Sequence, residues 1–276
     1  MNIKFSKMHA LGNDFVITNN IQQTLILNSS IIKQLSNRHT GIGFDQLLIA
    51  EMPNVANIDF NYRIFNANGT EVEQCGNGAR CLALYLKKKG LITKNNILVS
   101  TKNRVLKIKF LDKNIICVNM GIPLFLPKEI PYITNKIQDN YKIKLHNKYI
   151  YFNVVSMGNP HCVIQVSSIE NYPVKLIGSF IENNSIFPNK VNVNFMEIVN
   201  NQNIKLRVYE RGVGETYSCG SGACASVAVG IKKKLLSHNV QVHLIGGYVK
   251  VTWDHVTNNV FLLGTACHIY DGNINI

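Results

Sequence analysis

The sequence predicts an α+β protein of two pseudo-symmetric, mostly antiparallel β domains. Each domain wraps around a central helix, and the active site is expected in the cleft between them. Three observations lead there. The chain repeats itself at a spacing of about 145 residues; strand-like runs far outnumber helical ones; and each half places a Cys-Gly-x-Gly-Ala motif directly before an apolar helical stretch.

The repeat can be followed residue by residue. Cys75 and Cys219 stand 144 residues apart, in C-G-N-G-A and C-G-S-G-A, each four residues after a glutamate, Glu71 or Glu215. R-I-F-N at 63–66 answers R-V-Y-E at 207–210, so Asn66 corresponds to Glu210. K-K-K-G after the first helix answers K-K-K-L after the second, and G-N-D-F-V-I from Gly12 answers G-N-P-H-C-V-I from Gly158. The spacing drifts from 144 to 146, as small loop insertions between two related halves would make it. Two units this long are paired domains rather than a solenoid.

Between these anchors the strands read in order as VITNN, LLIAE, FNYRIFN, VLKIKFL, IICVNMG, YFNVVSMG, HCVIQV, NFMEIV, IKLRVYE, VQVHLI, YVKVTW and VFLLGTA. They alternate and are rich in β-branched and aromatic residues. Helices are expected over about residues 30–38 and after each C-G-x-G-A. The break falls near Gly121-Ile122-Pro123, dividing the chain into a first domain of 1–120 plus about 265–276 and a second of 121–264.

Bulk properties bound the function. The chain has 276 residues, 46% of them hydrophobic and 16% charged, a globular composition with a real core. No run approaches the roughly 18–20 apolar residues of a membrane span, and MNIKFSKMHALGNDF lacks the apolar stretch of a signal peptide. A cytoplasmic protein is expected. The net charge of +13 is spread along the chain with no nucleic-acid motif beside it, so it reads as a solvated basic surface. Seven cysteines, an odd number in a chain this long, argue for free thiols over a disulfide scaffold.

The motif itself carries chemistry. A cysteine entering a helix sits beside backbone N–H groups that lack intrahelical partners, at the positive end of the helix dipole. Its thiol should ionise more easily there, and the flanking glycines should allow unusual φ values and close approach to an anion. Two such motifs facing each other would let one sulfur remove a proton from a carbon while the other delivers one to the opposite face. A stereocentre would invert with no cofactor. A nucleophilic Cys–His enzyme would need only one cysteine.

These residues resemble the diaminopimelate epimerase family over essentially the whole chain. The resemblance rests on K-M-H-A-L-G-N-D-F (7–15), G-I-G-F-D-Q-L-L (41–48), R-I-F-N-A-N-G-T-E-V-E-Q-C-G-N-G-A-R-C (63–81), M-G-N-P-H-C-V (157–163), V-N-V-N-F (191–195) and E-R-G-V-G-E-T-Y-S-C-G-S-G-A-C-A (210–225). It implies epimerisation of LL-2,6-diaminopimelate to the meso form without pyridoxal phosphate or metal, in lysine and peptidoglycan-precursor synthesis, by a homodimer that binds neither nucleic acid nor membrane. Position by position it implies Cys75 and Cys219 as the acid–base pair, tuned by His161 and Glu210. Asn13, Gln46, Asn66, Asn159, Asn192, Glu210 and Arg211 would hold the substrate, and the backbone at Gly76-Asn77 and Gly220-Ser221 would receive its reacting carboxylate. Two residues depart from the family's usual pattern: Asn68 in place of Asp, and Thr265 in place of Pro.

Plainer readings stand beside these. Cys81 and Cys224 lie at C-x5-C and C-x4-C spacings that suit zinc poorly, and with Cys117, Cys162 and Cys267 they read as small core residues. Arg63 and Arg207 read as structural partners of Glu71 and Glu215, and Arg80 as a first-turn surface residue. Three other functions compete: a two-cysteine racemase of proline or hydroxyproline, a thiol switch closing Cys75 on Cys219, and a basic nucleic-acid-binding module. The paired asparagines, Glu210 and Arg211 favour a substrate charged at both ends.

Overall fold

The computed structural model describes residues 2–22, 24–72, 75–112 and 114–276. In chain order the elements are β1 (Asn2–Ala10), β2 (Asn13–Asn19), α1 (Ser29–Ser36), β3 (Gln46–Glu51), β4 (Phe60–Asn66), α2 (Gly76–Lys88), β5 (Asn96–Ser100), β6 (Val105–Phe110) and β7 (Ile116–Gly121). There follow β8 (Tyr141–Leu145), β9 (Lys148–Ser156), β10 (Pro160–Val166), α3 (Val174–Glu182), β11 (Asn192–Asn200), β12 (Asn203–Glu210), β13 (Gly214–Thr216), α4 (Gly220–Lys232), β14 (Asn239–Leu244), β15 (Gly247–Trp253), β16 (Val260–Gly264) and β17 (Cys267–Asn275). The chain divides into two compact units, Met1–Asn119 with Leu263–Ile276, and Met120–Leu262.

In the first unit β17 pairs antiparallel with β1, and β1 with β2. Then β2–β3 is parallel, β3–β4 antiparallel, β4–β5 parallel and β5–β6 antiparallel. The second unit repeats the pattern over β9, β10, β11, β12, β14 and β15: antiparallel, parallel, antiparallel, parallel, antiparallel. Register repeats as well. Phe15 pairs with Gln46 as His161 pairs with Asn192, and Ile49 with Arg63 as Phe195 with Arg207.

Alternation places the strands. In β6 Leu106, Ile108 and Phe110 are buried while Lys107 and Lys109 are exposed, and β12 buries Ile204, Leu206 and Val208 likewise. The two motif helices are buried almost all round. Ala79, Cys81, Leu82, Ala83, Tyr85 and Leu86 of α2 are buried, as is every residue of α4 from Gly220 to Gly230. Helices hydrophobic on all sides belong inside a curved sheet. The lysines fall at their C-terminal ends, where the dipole favours them: Lys87 and Lys88 in α2, Lys232 in α4.

The opposite face of each sheet carries a second helix. Asn28 caps α1 by accepting from Ile31 N at 2.9 Å, and Ile32 and Leu35 pack with Phe5, Val16, Leu47, Ile49 and Phe65. In the second unit α3 does the same, packing Ile177 and Ile181 against Val193 and Phe195. The strand-rich reading of the sequence missed α3. Its buried Val174, Ile177, Gly178 and Ile181 follow a helical spacing, and Val174 lies 145 residues after Ser29, so the repeat itself marks the place.

Among the described residues no helix is long and apolar enough to cross a membrane.

Candidate active site

In the first unit Cys75 is the residue before α2. Its backbone is extended, and its sulfur accepts from the Gly78 N–H at 3.3 Å, capping its own helix. The glycines of the motif are helical, with no positive φ at Gly76, Gly78, Gly220 or Gly222. Closeness is what the second glycine supplies. A Cβ on Gly78 would stand 2.3 Å from the Tyr62 hydroxyl, and one on Gly222 would stand 2.6 Å from Asn194 Oδ1.

Arg80 is fully buried, contrary to the surface reading. It donates from Nε to the Thr265 carbonyl at 3.2 Å, and from its two terminal nitrogens to the Gly76 carbonyl at 3.3 Å and Asn77 Oδ1 at 2.8 Å. It thereby fixes the first turn of α2. Neither departure from the family pattern disturbs this. Thr265 contributes a backbone carbonyl that any residue would offer, and Asn68 Oδ1 accepts from Thr70 N at 3.0 Å and Thr70 Oγ1 at 2.7 Å, as a carboxylate would.

Asn13, Gln46 and Asn66 lie on neighbouring strands, with Gln46 paired to Asn66 and its Nε2 donating to Asn66 Oδ1 at 2.9 Å. Asn13 is placed by a two-residue turn, Leu11-Gly12, in which both residues have positive φ. A cluster unnoticed in the sequence anchors that turn. Asp14 accepts from Lys7 Nζ at 2.6 Å and from two Arg38 nitrogens at 2.9 and 2.7 Å. Burial alone would raise the Asp14 carboxyl; the bonds from Arg38 and Lys7 hold it well below the usual carboxylate range. Two acceptors in this group, Asn13 Oδ1 and Gln46 Oε1, are buried without a donor among the described residues.

In the second unit Cys219 precedes α4. It too is extended, and the Gly222 N–H faces its sulfur without closing the cap bond that Cys75 makes. Expectation and structure part here. Burial pushes the Cys219 thiol well up, and the Glu210 carboxylate beside it pushes the same way, against the Ser221 hydroxyl and the Gly222 N–H. Desolvation outweighs the helix terminus. Glu210 accepts from the Thr216 hydroxyl at 2.5 Å.

His161 is fully buried, and its pKa is lowered to about 3 by that burial, with Arg211 adding to the effect. Its ring bonds Asn159 Oδ1 from Nε2 at 3.0 Å and Asn194 Nδ2 from Nδ1 at 3.1 Å. Asn159 Nδ2 reaches Ser221 Oγ at 3.3 Å. Asn192 uses its amide on backbone, donating to the Pro160 carbonyl at 2.9 Å and accepting from Arg211 N at 3.0 Å, so it places Arg211. Asn194 went unremarked in the sequence, although it lies in the quoted V-N-V-N-F.

The remaining candidates settle as follows. Arg63 Nε pairs with Glu71 at 3.0 Å and Arg207 Nε with Glu215 at 2.6 Å, the structural pairs expected. Cys81, Cys162 and Cys224 are buried, whereas Cys117 is half-buried and Cys267 exposed, against the core reading of those two. Cys267 opens a strand whose outer residues face solvent. All seven cysteines are free thiols, and among the described residues no group of three or more His, Cys, Asp or Glu is placed to hold a metal ion.

The family model described as "Diaminopimelate epimerase" matches residues 5–126 and 153–269. A protein of that name from Buchnera aphidicola subsp. Acyrthosiphon pisum (strain APS) is 56% identical over 99% of this chain and 96% of its own length. Another, from Buchnera aphidicola subsp. Baizongia pistaciae (strain Bp), is 53% identical over 98% of this chain and 95% of its own. Among solved structures, a PhzF-family phenazine biosynthesis protein of Bacillus anthracis shares the fold at a TM-score of 0.71 and 16% identity, covering all of both chains. A probable proline racemase of Agrobacterium radiobacter K84 does so at 0.75 and 12%, over 99% of this chain and 93% of its own.

Proposed function

The chain belongs to the diaminopimelate epimerase family and is an isomerase acting on amino acids, and from that premise we propose that it interconverts LL- and meso-2,6-diaminopimelate by cofactor-independent proton transfer between two cysteines. The observation that carries this reading is the cysteine before each buried motif helix: Cys75 with its sulfur on the Gly78 N–H, and Cys219 with its sulfur beside Ser221.

The chemistry is a two-base exchange. One sulfur, as thiolate, takes the proton from the substrate's α-carbon, and the C–H electron pair moves into the carboxylate as an enediolate. The other, as thiol, gives its proton to the opposite face, and a new C–H bond forms with inverted configuration. Backbone N–H groups at Gly76-Asn77 and Gly220-Ser221 receive the carboxylate on which that charge develops. The raised Cys219 thiol is suited to enter as the acid.

Asn13 Oδ1 and Gln46 Oε1 support the amino-acid end of the reading. A buried carbonyl oxygen without a donor costs about 1–3 kcal/mol, and a substrate ammonium supplies the missing hydrogens. Arg211, with Glu210 beside it, takes the distal carboxylate and ammonium. Asn66, Asn159 and Asn192 complete the set, with His161 as a neutral support. The protein is expected to work as a homodimer in the cytoplasm, in lysine and peptidoglycan-precursor synthesis.

The test is NMR of the reduced protein with LL-diaminopimelate in D2O and no added cofactor. Deuterium should enter one α-carbon as the meso isomer appears. Cys75→Ala and Cys219→Ala should each lower turnover by about 10²–10⁴. A folded, reduced sample that exchanges no α-hydrogen sinks the assignment, and the same assay on proline then becomes the next measurement.

A further inference from the structure

The bonds around His161 have a direction, and one buried amide sets it. Asn194 Nδ2 lies 3.2 Å from the Cys162 carbonyl and 3.1 Å from His161 Nδ1. A backbone carbonyl only accepts, so the amide nitrogen must face it; a flipped Asn194 would set two acceptors together. The second hydrogen of Nδ2 then goes to His161 Nδ1, which must be the bare nitrogen of the ring. The imidazole proton therefore sits on Nε2, 3.0 Å from Asn159 Oδ1. That turns Asn159 Nδ2 to Ser221 Oγ, 3.3 Å away, so the serine accepts there. Its own hydrogen is left for Cys219 Sγ, at 3.6 Å.

We infer that Asn194 is a positioning residue that polarises a hydrogen-bond relay, Asn194–His161–Asn159–Ser221, whose donors all point toward the Cys219 sulfur and favour its thiolate. The inference rests on the two-cysteine reading above, and it adds how the second sulfur is held ready to change protonation state. Burial and the Glu210 carboxylate oppose ionisation of Cys219, so donors from Ser221 and Gly222 offset part of that cost. Burial, with the charge of Arg211 adding to it, keeps the ring neutral, which the direction requires because an imidazolium would put a proton against Asn194 Nδ2.

The relay belongs to one half only. Phe15 stands where the repeat puts His161, Leu48 stands for Asn194, and Asn77 for Ser221. Cys75 instead takes its bond from the Gly78 N–H directly. The inner end of the relay is sealed: Asn194 and His161 have no exposed surface, and Asn194 Oδ1 rests against Gly222. Each link also depends on its neighbour's orientation, so cutting it at either end should tell at the sulfur.

The experiment has two readouts, both without substrate. Nitrogen-15 spectra of the histidine rings should show His161 neutral with its proton on Nε2. Site-resolved iodoacetamide labelling, read by mass spectrometry at fixed pH, should show Cys219 labelled roughly tenfold more slowly in Ser221→Ala and in Asn194→Leu, the change that one pH unit in thiol ionisation produces. Ser221→Thr, which keeps the hydroxyl, should restore the rate, and Cys75 should label alike in all of them. A proton on Nδ1, a charged ring, or a Cys219 rate that Ser221→Ala leaves unchanged or raises overturns the relay. Should Asn194→Leu fail to fold, the wild-type tautomer and the Ser221 pair decide it. Loss of diaminopimelate turnover by the wild type would sink the proposed function without touching these readouts. Normal turnover with unmoved labelling would sink the relay alone.

Discussion

His161 Nε2 lies 3.0 Å from Asn159 Oδ1, inside a site where the ring has no exposed surface and its pKa falls to about 3. A buried histidine held neutral is a folding statement as well as a chemical one. The unfolded chain binds a proton on this ring near pH 6.5, while the folded chain does so only near pH 3. Below 6.5 the unfolded state binds more protons, so this contribution is complete above that pH and drains away as pH falls toward 3.

Urea unfolding across that window is expected to show stability dropping by a few kcal/mol, on the order of one per pH unit. His161→Gln should flatten the slope between about pH 6 and 4. Asp14, held low by Arg38 and Lys7, adds its own loss as pH falls through 3.8 and below, so the slope above that pH belongs to the ring. An unchanged slope in His161→Gln would show that the ring does not govern it.

The Tyr62 hydroxyl is buried, has no hydrogen-bond partner among the described residues, and stands where a Cβ on Gly78 would go. Gly78→Ala is expected to cost about 1–3 kcal/mol by overpacking. Tyr62→Phe should be neutral or slightly stabilising, since it removes an unsatisfied group. In the double variant much of the alanine's cost should return, because the clashing oxygen has gone. A double-mutant cycle by denaturant unfolding measures this, and additivity would refute the contact.

Arg80 is a charge in the interior whose guanidinium ties Thr265, Gly76 and Asn77 together. Arg80→Met is expected to destabilise the protein by about 2–4 kcal/mol, leaving buried acceptors without donors. Activity at a temperature where the variant is still folded should fall as well, because Asn77 would lose its hold at the start of α2. Thermal unfolding with parallel turnover assays would separate the two effects.

Among the described residues Asn13 Oδ1 has no donor. Asn13→Ala is therefore expected to leave stability unchanged or slightly raised while kcat/KM falls by roughly 10–100-fold, the trade that a binding group awaiting its ligand makes. A loss of stability matching the loss of activity would mean that Asn13 is a structural residue of the turn.

Much of this was legible in the chain because it is carried by spacing. Residues eight apart on a strand and its return, Arg63 with Glu71 and Arg207 with Glu215, meet by local geometry, and they do. A cysteine before Gly-x-Gly and an apolar run has to enter a helix, and both do. α3 was legible as well, through its i, i+3, i+7 apolar spacing and through the repeat, although its β-branched residues imitate a strand.

By itself the sequence determined the duplicated architecture, the two cysteine-headed helices and the family, because periodicity and motif order are properties of a chain. Tertiary structure decided that Arg80 is buried, that Cys267 is exposed, that burial raises the Cys219 thiol instead of letting the helix terminus lower it, and that Asn194 aims the bonds around His161. Exposure, ionisation and the direction of a hydrogen bond are set by neighbours that arrive from distant segments. Asn194 and Gly222 meet only through a strand and a helix folded over one another, and no spacing along the chain records which atom of an amide faces inward.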